Sequence, residues 1–417
     1  MPLRIGILTN SYPPDRNGVS NAVYGLQQEL EKKGHLVFVA TPQQDGVDYP
    51  SNVLPLVATE FPKSITSDIK LPKPYIEVCT DWFAKQGIDL LHTHDTLFAG
   101  IEGAVIAYNL QIPCVHTFHT MIEDYSVFTF PAYNRIIRKG FKEVCNSYNA
   151  IISPSQKAYK YLLGLGITTP VTQIFNVSHL KSLVSTPTNK FDFLQSTEFT
   201  HTFLTFCRLS PEKGLIAGIN LLVPILRNNP KVRYVIAGLG PQEEELKLLI
   251  KNFGLQKQIL LAGSYCPAEL ESLQKSVGAC AFIFTSASEN LPTNVLEGLW
   301  LGLPIFAIDD NSVDYVLRDG YNGFKSPIRE LPILINEFIN KPEFANTLQA
   351  NAKLSATEFL NVDTADEHIK LYEKTKENYR ASMSQIQQTK DDFWSSLKKD
   401  ALKLKNIFVK KSPTNKS

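Results

Sequence analysis

The stretch LRIGILTNSYPPDRNGVSNAVYGLQQELEKKGHLVFVA, residues 3–40, decides the fold class. It opens on a short apolar run, LRIGILT (3–9), and passes through a polar loop rich in turn formers, NSYPPDRNGVS. It then enters a segment whose Val23, Leu26 and Leu30 fall on one helical face, with Ser20 placed to cap the start and Gly34 to end it. A second apolar run, LVFVA (36–40), follows, so the chain begins β-loop-α-β, the unit of a parallel sheet.

The alternation continues through DLLHTH (89–94), IPCVHTF (112–118), AIIS (150–153) and VTQIF (171–175), separated by helical lengths. Residues 181–200 are polar, contain a proline and break the pattern, as a linker does. A second series then starts with FLTFC (203–207), VRYVIAG (232–238), QILLAGS (258–264), ACAFIFT (279–285) and PIFAID (304–309). The expectation is an α/β protein of two Rossmann-like, doubly wound parallel-sheet domains facing a cleft, over residues 1–185 and 198–360. Residues 361–380 are expected to form a helix crossing back to the first domain, with a basic amphipathic tail over 381–417.

Composition agrees with two substantial cores. The 417 residues are 43% hydrophobic and 20% charged, which excludes disorder, collagen-like repeats and a small disulfide scaffold. Forty-two Lys and Arg against 41 Asp and Glu leave a net charge of +1, so no whole-chain field attracts nucleic acid. The charge is unevenly placed: residues 381–417 carry eight Lys and three Asp, a local +5, against −4 for residues 1–380. The six cysteines lie far apart without a CxxC pair, the pattern of reduced thiols in a cytoplasmic protein rather than of a zinc ribbon. The N-terminal stretch lacks a signal-peptide pattern, and the longest uncharged apolar run, GLWLGLPIFAI (298–308), is too short to span a bilayer.

Chemistry concentrates in SENLPTNVLEGLWLGLP (288–304), directly after the ACAFIFT strand. Pro292 marks a helix start, which puts Glu289 on the strand-to-helix loop and Glu297 about one and a half turns into the helix. The free backbone N–H groups of the stretch from Asn290 to Asn294, to which Pro292 contributes none, suit a diphosphate together with the positive end of the helix dipole, and the two carboxylates suit ribose and sugar hydroxyls. Taken alone, Glu289 could equally cap the helix and Glu297 pair with a surface Lys. CRLSPEKGL (207–215) shifts the balance, because Arg208 and Lys213 leave another strand end where both can reach one diphosphate, the alternative being a surface Lys213–Glu212 pair.

With these motifs in place, the sequence resembles the retaining family 4 glycosyltransferases of the GT-B fold, and bacterial diacylglycerol glucosyltransferases in particular. The resemblance spans about residues 3–375 and includes the glycine loop at Gly18, IAGLGP (236–241), AGSY (262–265) and DGYNGF (319–324). HTFHTMIEDY (116–125) is its most discriminating part. It implies that Glu297 binds a ribose, Glu289 a sugar hydroxyl, Arg208 and Lys213 the diphosphate, and that His119 sits beside the transferred sugar. Asn17, Gly18, Gly238, Gly240, Tyr265, Asn290, Leu291, Pro292 and Thr293 are expected to line the donor site, and His94, Glu123 and Asp124 the acceptor site. Three departures stand out: Asn17 replaces a glycine, Val177 stands where a glycine is usual, and NSVDY (311–315), with Asp314 as substitute acid, replaces Gly-Gly-x-x-Glu.

His92 and His94 alternate on one strand and His116 and His119 follow on the next, a set that suits either a metal site or strand-end residues lining an acceptor pocket; the second reading is preferred, with no metal and no cofactor expected. Glu123 and Asp124 read as acceptor-side general bases or as solvated loop carboxylates. The resemblance implies transfer of a hexose, glucose in this reading, from a UDP-sugar with retention. The expected acceptor is a membrane lipid such as diacylglycerol; the alternatives are a soluble sugar, lipopolysaccharide or protein acceptor, or a non-catalytic nucleotide-sugar-binding protein. In the tail, Phe393, Leu397, Ala401, Leu404 and Phe408 recur at helical spacing among lysines, which suits an anionic membrane surface and suits equally a helix docked on the protein or a solvated tail. The oligomeric state is left open.

Overall fold

The computed structural model describes residues 2–15, 17–60, 70–72, 75–94, 98–119, 131–175, 185–286 and 289–382. The first half runs β1 (Arg4–Thr9), α1 (Gly18–Lys32), β2 (Leu36–Pro42), β3 (Val53–Leu56), β4 (Ala58–Glu60), β5 (Lys70–Pro72), α2 (Ile76–Gln86), β6 (Leu90–His94), α3 (Phe98–Leu110), β7 (Cys114–Thr117), α4 (Pro131–Ser147), β8 (Ala150–Ser153), α5 (Gln156–Gly164) and β9 (Val171–Gln173). The second runs β10 (His201–Phe206), α6 (Leu215–Asn228), β11 (Val232–Ala237), α7 (Glu243–Phe253), β12 (Ile259–Gly263), α8 (Leu270–Val277), β13 (Ala279–Phe284), α9 (Thr293–Trp300), β14 (Ile305–Ile308), β15 (Gly323–Ser326), α10 (Leu331–Asn340) and α11 (Pro342–Leu360). A last helix, α12, covers residues 364–382.

Two parallel sheets result. One has the order β3-β2-β1-β6-β7-β8-β9 and the other β12-β11-β10-β13-β14-β15. Their strands are apolar almost throughout because helices cover both faces; in β11 all six residues are buried, Arg233 included. Arg233 is tolerated there because its guanidinium donates to Thr202 Oγ1 at 2.9 Å, Leu194 O at 2.7 Å and Val277 O at 2.6 Å. In each sheet the strand order reverses once, between β1 and β6 and between β10 and β13, and loops at such points form the crevice of an open α/β sheet.

Several local expectations need revision. The cap of α1 is Asn17, whose side chain accepts from Ser20 N–H at 2.9 Å; Ser20 is inside the helix and buried. The polar loop therefore ends three residues earlier than Ser20 suggested. Strand β3 escapes pattern reading because Pro55 interrupts VLPL, and proline is tolerated here because β3 is an edge strand. The segment expected to be a linker is docked: Phe191 and Leu194 lie in the core of the second sheet. In the other direction, α12 puts Ala365 and Tyr372 into the core of the first sheet, among Ile5, Val23, Leu26 and Leu90. Among the described residues no helix is long and apolar enough to cross a membrane. All six cysteines are free, four of them buried.

Candidate active site

The loop from β10 and the loop from β13 fold against each other. Thr285 Oγ1 donates to Lys213 O at 3.2 Å, and Ser286 Oγ donates to Glu212 O at 2.9 Å. This brings the Lys213 ammonium onto the Glu289 carboxylate, which also accepts from Ser286 Oγ at 3.2 Å. Lys213 therefore pairs with Glu289 and not with Glu212, whose carboxylate takes the hydroxyl of Ser210. Burial pulls the Lys213 ammonium down, but the Glu289 charge beside it more than compensates, and the net shift is upward. Arg208, exposed, stands on the same loop.

Helix α9 starts at Thr293 with Pro292 as its N-cap and no side chain capping the terminus; Glu289 does not cap it. A Cβ built on Gly18 would lie 3.7 Å from Thr293 Cγ2. The first residues of α1 and α9 thus meet across the cleft, and two helix N-termini present their positive ends to one place. Asn17 spends its side chain within the loop, accepting from Ser20 N and donating to Ser11 Oγ at 2.7 Å. Leu291 packs on the core of the second sheet.

One turn deeper, Glu297 is only 4% exposed, and burial pushes its carboxyl up to about 8. Its carboxyl lies inside the protein and not on the surface. Tyr265 lies beside it: its hydroxyl is pushed far up, first by burial and then by the Glu297 charge, and its ring packs edge-on to Phe206 at 5.7 Å. Gly238 and Gly240 act on this site from behind. A Cβ on Gly238, whose φ is +146°, would sit 1.8 Å from Cys207 O, and one on Gly240 would sit 2.2 Å from Leu209 O. The two glycines let the turn after β11 lie against the backbone that carries Arg208.

The first domain supplies the opposite wall. Asn290 reaches across: its Nδ2 donates to Phe118 O at 2.9 Å and His119 O at 3.1 Å, while its Oδ1 accepts from Ser155 Oγ at 2.5 Å. Ser155 is the N-cap of α5. Expected as a donor contact, Asn290 has its amide directed into the first domain, and only pairing in space identifies Ser155 as its partner.

His119 is joined to His94 by a 3.0 Å Nε2···Nδ1 hydrogen bond, and the two rings stack at 5.3 Å. His94 Nε2 lies 3.2 Å from His92 Nδ1, and His116 Nδ1 lies 2.8 Å from Thr93 Oγ1. Burial lowers every one of these imidazoles, His119 to about 4 and His116 to about 3, so all are neutral at pH 7. The histidines bond to one another and to hydroxyls; among the described residues no group of three or more His, Cys, Asp or Glu is arranged to hold a metal ion. Glu123, Asp124 and Val177 lie outside the described residues. Asp314 pairs with Lys325 at 2.6 Å.

Two parallel-sheet domains that bring the N-termini of α1 and α9 and the loops bearing Arg208, Lys213 and Glu289 to one cleft have the architecture of the GT-B fold. The family model described as Glycosyltransferase Family 4 matches residues 16–177 and the one described as Glycosyl transferases group 1 matches residues 188–355, so the chain is a glycosyltransferase built from these two family domains. Among its relatives is an alpha-monoglucosyldiacylglycerol synthase of Streptococcus pneumoniae, 26% identical over 76% of this chain and 74% of that protein. A protein of the same name from Acholeplasma laidlawii is 26% identical over 85% of this chain and 92% of its own length. In fold the chain is similar to Anabaena HepE, crystallised with UDP, at a TM-score of 0.68 and 19% identity over 89% of this chain and 100% of that one. It is likewise similar to a sucrose-phosphate synthase of Thermosynechococcus elongatus, at a TM-score of 0.70 and 17% identity over 89% of this chain and 98% of that one.

Proposed function

We propose that this glycosyltransferase moves a hexose, glucose in the first instance, from a UDP-sugar to a membrane lipid such as diacylglycerol, with retention of anomeric configuration. The observation that carries the donor half is the meeting of Gly18 and Thr293, the first residues of two helices, with the Lys213–Glu289 pair on the loop that leads into the second of them. A diphosphate placed there receives backbone N–H groups, two dipole ends and the Lys213 and Arg208 cations. The sugar then draws Glu289 to a hydroxyl, and Glu297 takes the ribose, hydrogen-bonding it in either protonation state.

In this reading the bond from the anomeric carbon to the diphosphate oxygen breaks, and the acceptor oxygen bonds to the same face of that carbon. The acceptor proton passes to the departing diphosphate. The protein's share is positioning and stabilisation of charge on the leaving group, while the wall that carries His119 excludes water. The lipid acceptor rests on the two diacylglycerol-directed relatives, with the basic tail over 381–417 as the part that would meet an anionic membrane surface.

The test is a panel of UDP- and GDP-sugars against lipid and soluble acceptors, with NMR of the product's anomeric proton. Transfer of glucose from UDP-glucose to diacylglycerol as the α-anomer is expected. Transfer confined to soluble acceptors, or an inverted product, overturns the reading.

A further inference from the structure

We propose that Tyr372, on α12, is a positioning residue that sets the tautomer of His119 through His92 and His94. The inference rests on the proposed function, in which the wall that carries His119 faces the transferred sugar.

Three buried side chains, Tyr372, His92 and His94, and the half-buried His119 form one hydrogen-bonded network. Tyr372 Oη lies 2.7 Å from His92 Nδ1, His94 Nε2 lies 3.2 Å from that same His92 Nδ1, and His94 Nδ1 lies 3.0 Å from His119 Nε2. The other nitrogen of His92, Nε2, lies 2.7 Å from Thr117 Oγ1. Each neutral imidazole carries one N–H and one lone pair, so the direction of the first bond propagates along the line.

Two hydroxyls compete for His92, one at each nitrogen. A phenol is the stronger donor and the weaker acceptor of the pair, so Tyr372 donates to Nδ1, and His92 donates from Nε2 to Thr117. His94 Nε2, at 3.2 Å, shares that lone pair as a second and longer donor, because a bare Nε2 there would set two lone pairs against each other, and its own Nδ1 is left to accept. His119 must donate from Nε2, and its Nδ1 is the lone pair that remains. The opposite polarity turns every bond round and leaves the Tyr372 hydroxyl hydrogen, on a residue 0% exposed, with no acceptor.

The arrangement is held rigidly. His368, one turn before Tyr372, bonds through Nδ1 to Thr364 O at 2.7 Å, and its ring centroid is 5.9 Å from both His92 and Tyr372. The Tyr372 ring packs edge-on to His92 at 5.6 Å. A helix that follows the second domain in sequence thereby controls a hydrogen position in the wall of the cleft, 280 residues away from His92 in the chain.

The test uses the full chain labelled with nitrogen-15 at histidine, the His119 signals being assigned with His119→Gln. Two-bond proton–nitrogen correlations separate the two tautomers. In the wild type His119 is expected to be protonated at Nε2 and bare at Nδ1. In Tyr372→Phe the Nδ1-protonated form of His119 should appear, and kcat should fall about tenfold with the donor KM little changed. A wild-type His119 protonated at Nδ1, or a Tyr372→Phe spectrum identical to wild type, overturns the proposal. The wild-type spectrum alone keeps the proposal falsifiable should the variant not fold. The tautomer is read without turnover, so wild-type transfer by His119→Ala would sink the proposed role of His119 and leave the tautomer result standing.

Discussion

The Lys213 ammonium rests on the Glu289 carboxylate, which joins the loop after β10 to the loop after β13 before any donor arrives. Both side chains are about one-fifth exposed, 23% and 17%, so the pair holds the loops while remaining within reach of a ligand. Lys213→Ala removes both the loop contact and a cation at the diphosphate. It is expected to lower kcat/KM for UDP-glucose by about a hundredfold or more, and Arg208→Ala likewise. Steady-state kinetics check this, and near wild-type rates in either variant contradict the assignment.

Glu289→Gln keeps the shape and removes the charge. Lys213 then sits partly buried beside a neutral amide and should be freer to meet the diphosphate, so the donor KM should change less than kcat does. A rise in KM alone, at constant kcat, would place Glu289 outside the reacting region.

Glu297 carries a pH signature. Burial raises its folded-state value from 4.5 to about 8, above that of the unfolded chain, so the folded protein holds this proton more tightly. Its contribution to stability is complete below the unfolded value and is lost as pH rises through about 8. Glu297→Gln should therefore be the more stable protein at pH 9, by up to about 5 kcal/mol, and should melt higher there, with little difference at pH 5. Melting curves at both pH values decide it; a constant offset between the two proteins would show that Glu297 does not titrate in this window.

Asn290 makes three hydrogen bonds into the other domain. Asn290→Ala breaks them all, each worth about 1 kcal/mol net, and should shift the two domains toward a more open arrangement. Small-angle scattering should report a larger radius of gyration, and the donor KM should rise. An unchanged scattering curve would mean that other contacts hold the domains together.

Removal of residues 381–417 tests the tail. Co-sedimentation with anionic vesicles is expected to drop while hydrolysis of the donor persists. If binding to the vesicles is unchanged, the tail is not the anchor.

Much of the site was legible in the chain because its signals are local. Pro292 announces the start of α9, and the position of Glu297 on that helix follows from counting residues. The loops bearing Arg208, Lys213 and Glu289 were placed by the ends of apolar runs. Asn17 was missed as a cap because Ser20 offered a better-known residue type three positions on, and only backbone geometry distinguishes them. Gly238 and Gly240 answer a further constraint that no local pattern shows, the Cys207–Leu209 backbone packed behind them.

By itself, then, the sequence determined the two series of parallel strands, where the charged loops leave them, and the start of the helix that carries Glu297. Those features depend on periodicity and on residues within a few positions of each other. The tertiary structure decided the partners: Glu289 and not Glu212 for Lys213, the first domain's backbone for Asn290, and Tyr372 for His92. Such choices arise where the strand order of each sheet reverses and where α12 returns to the first sheet, and no local pattern records which groups those crossings bring within hydrogen-bonding distance of one another.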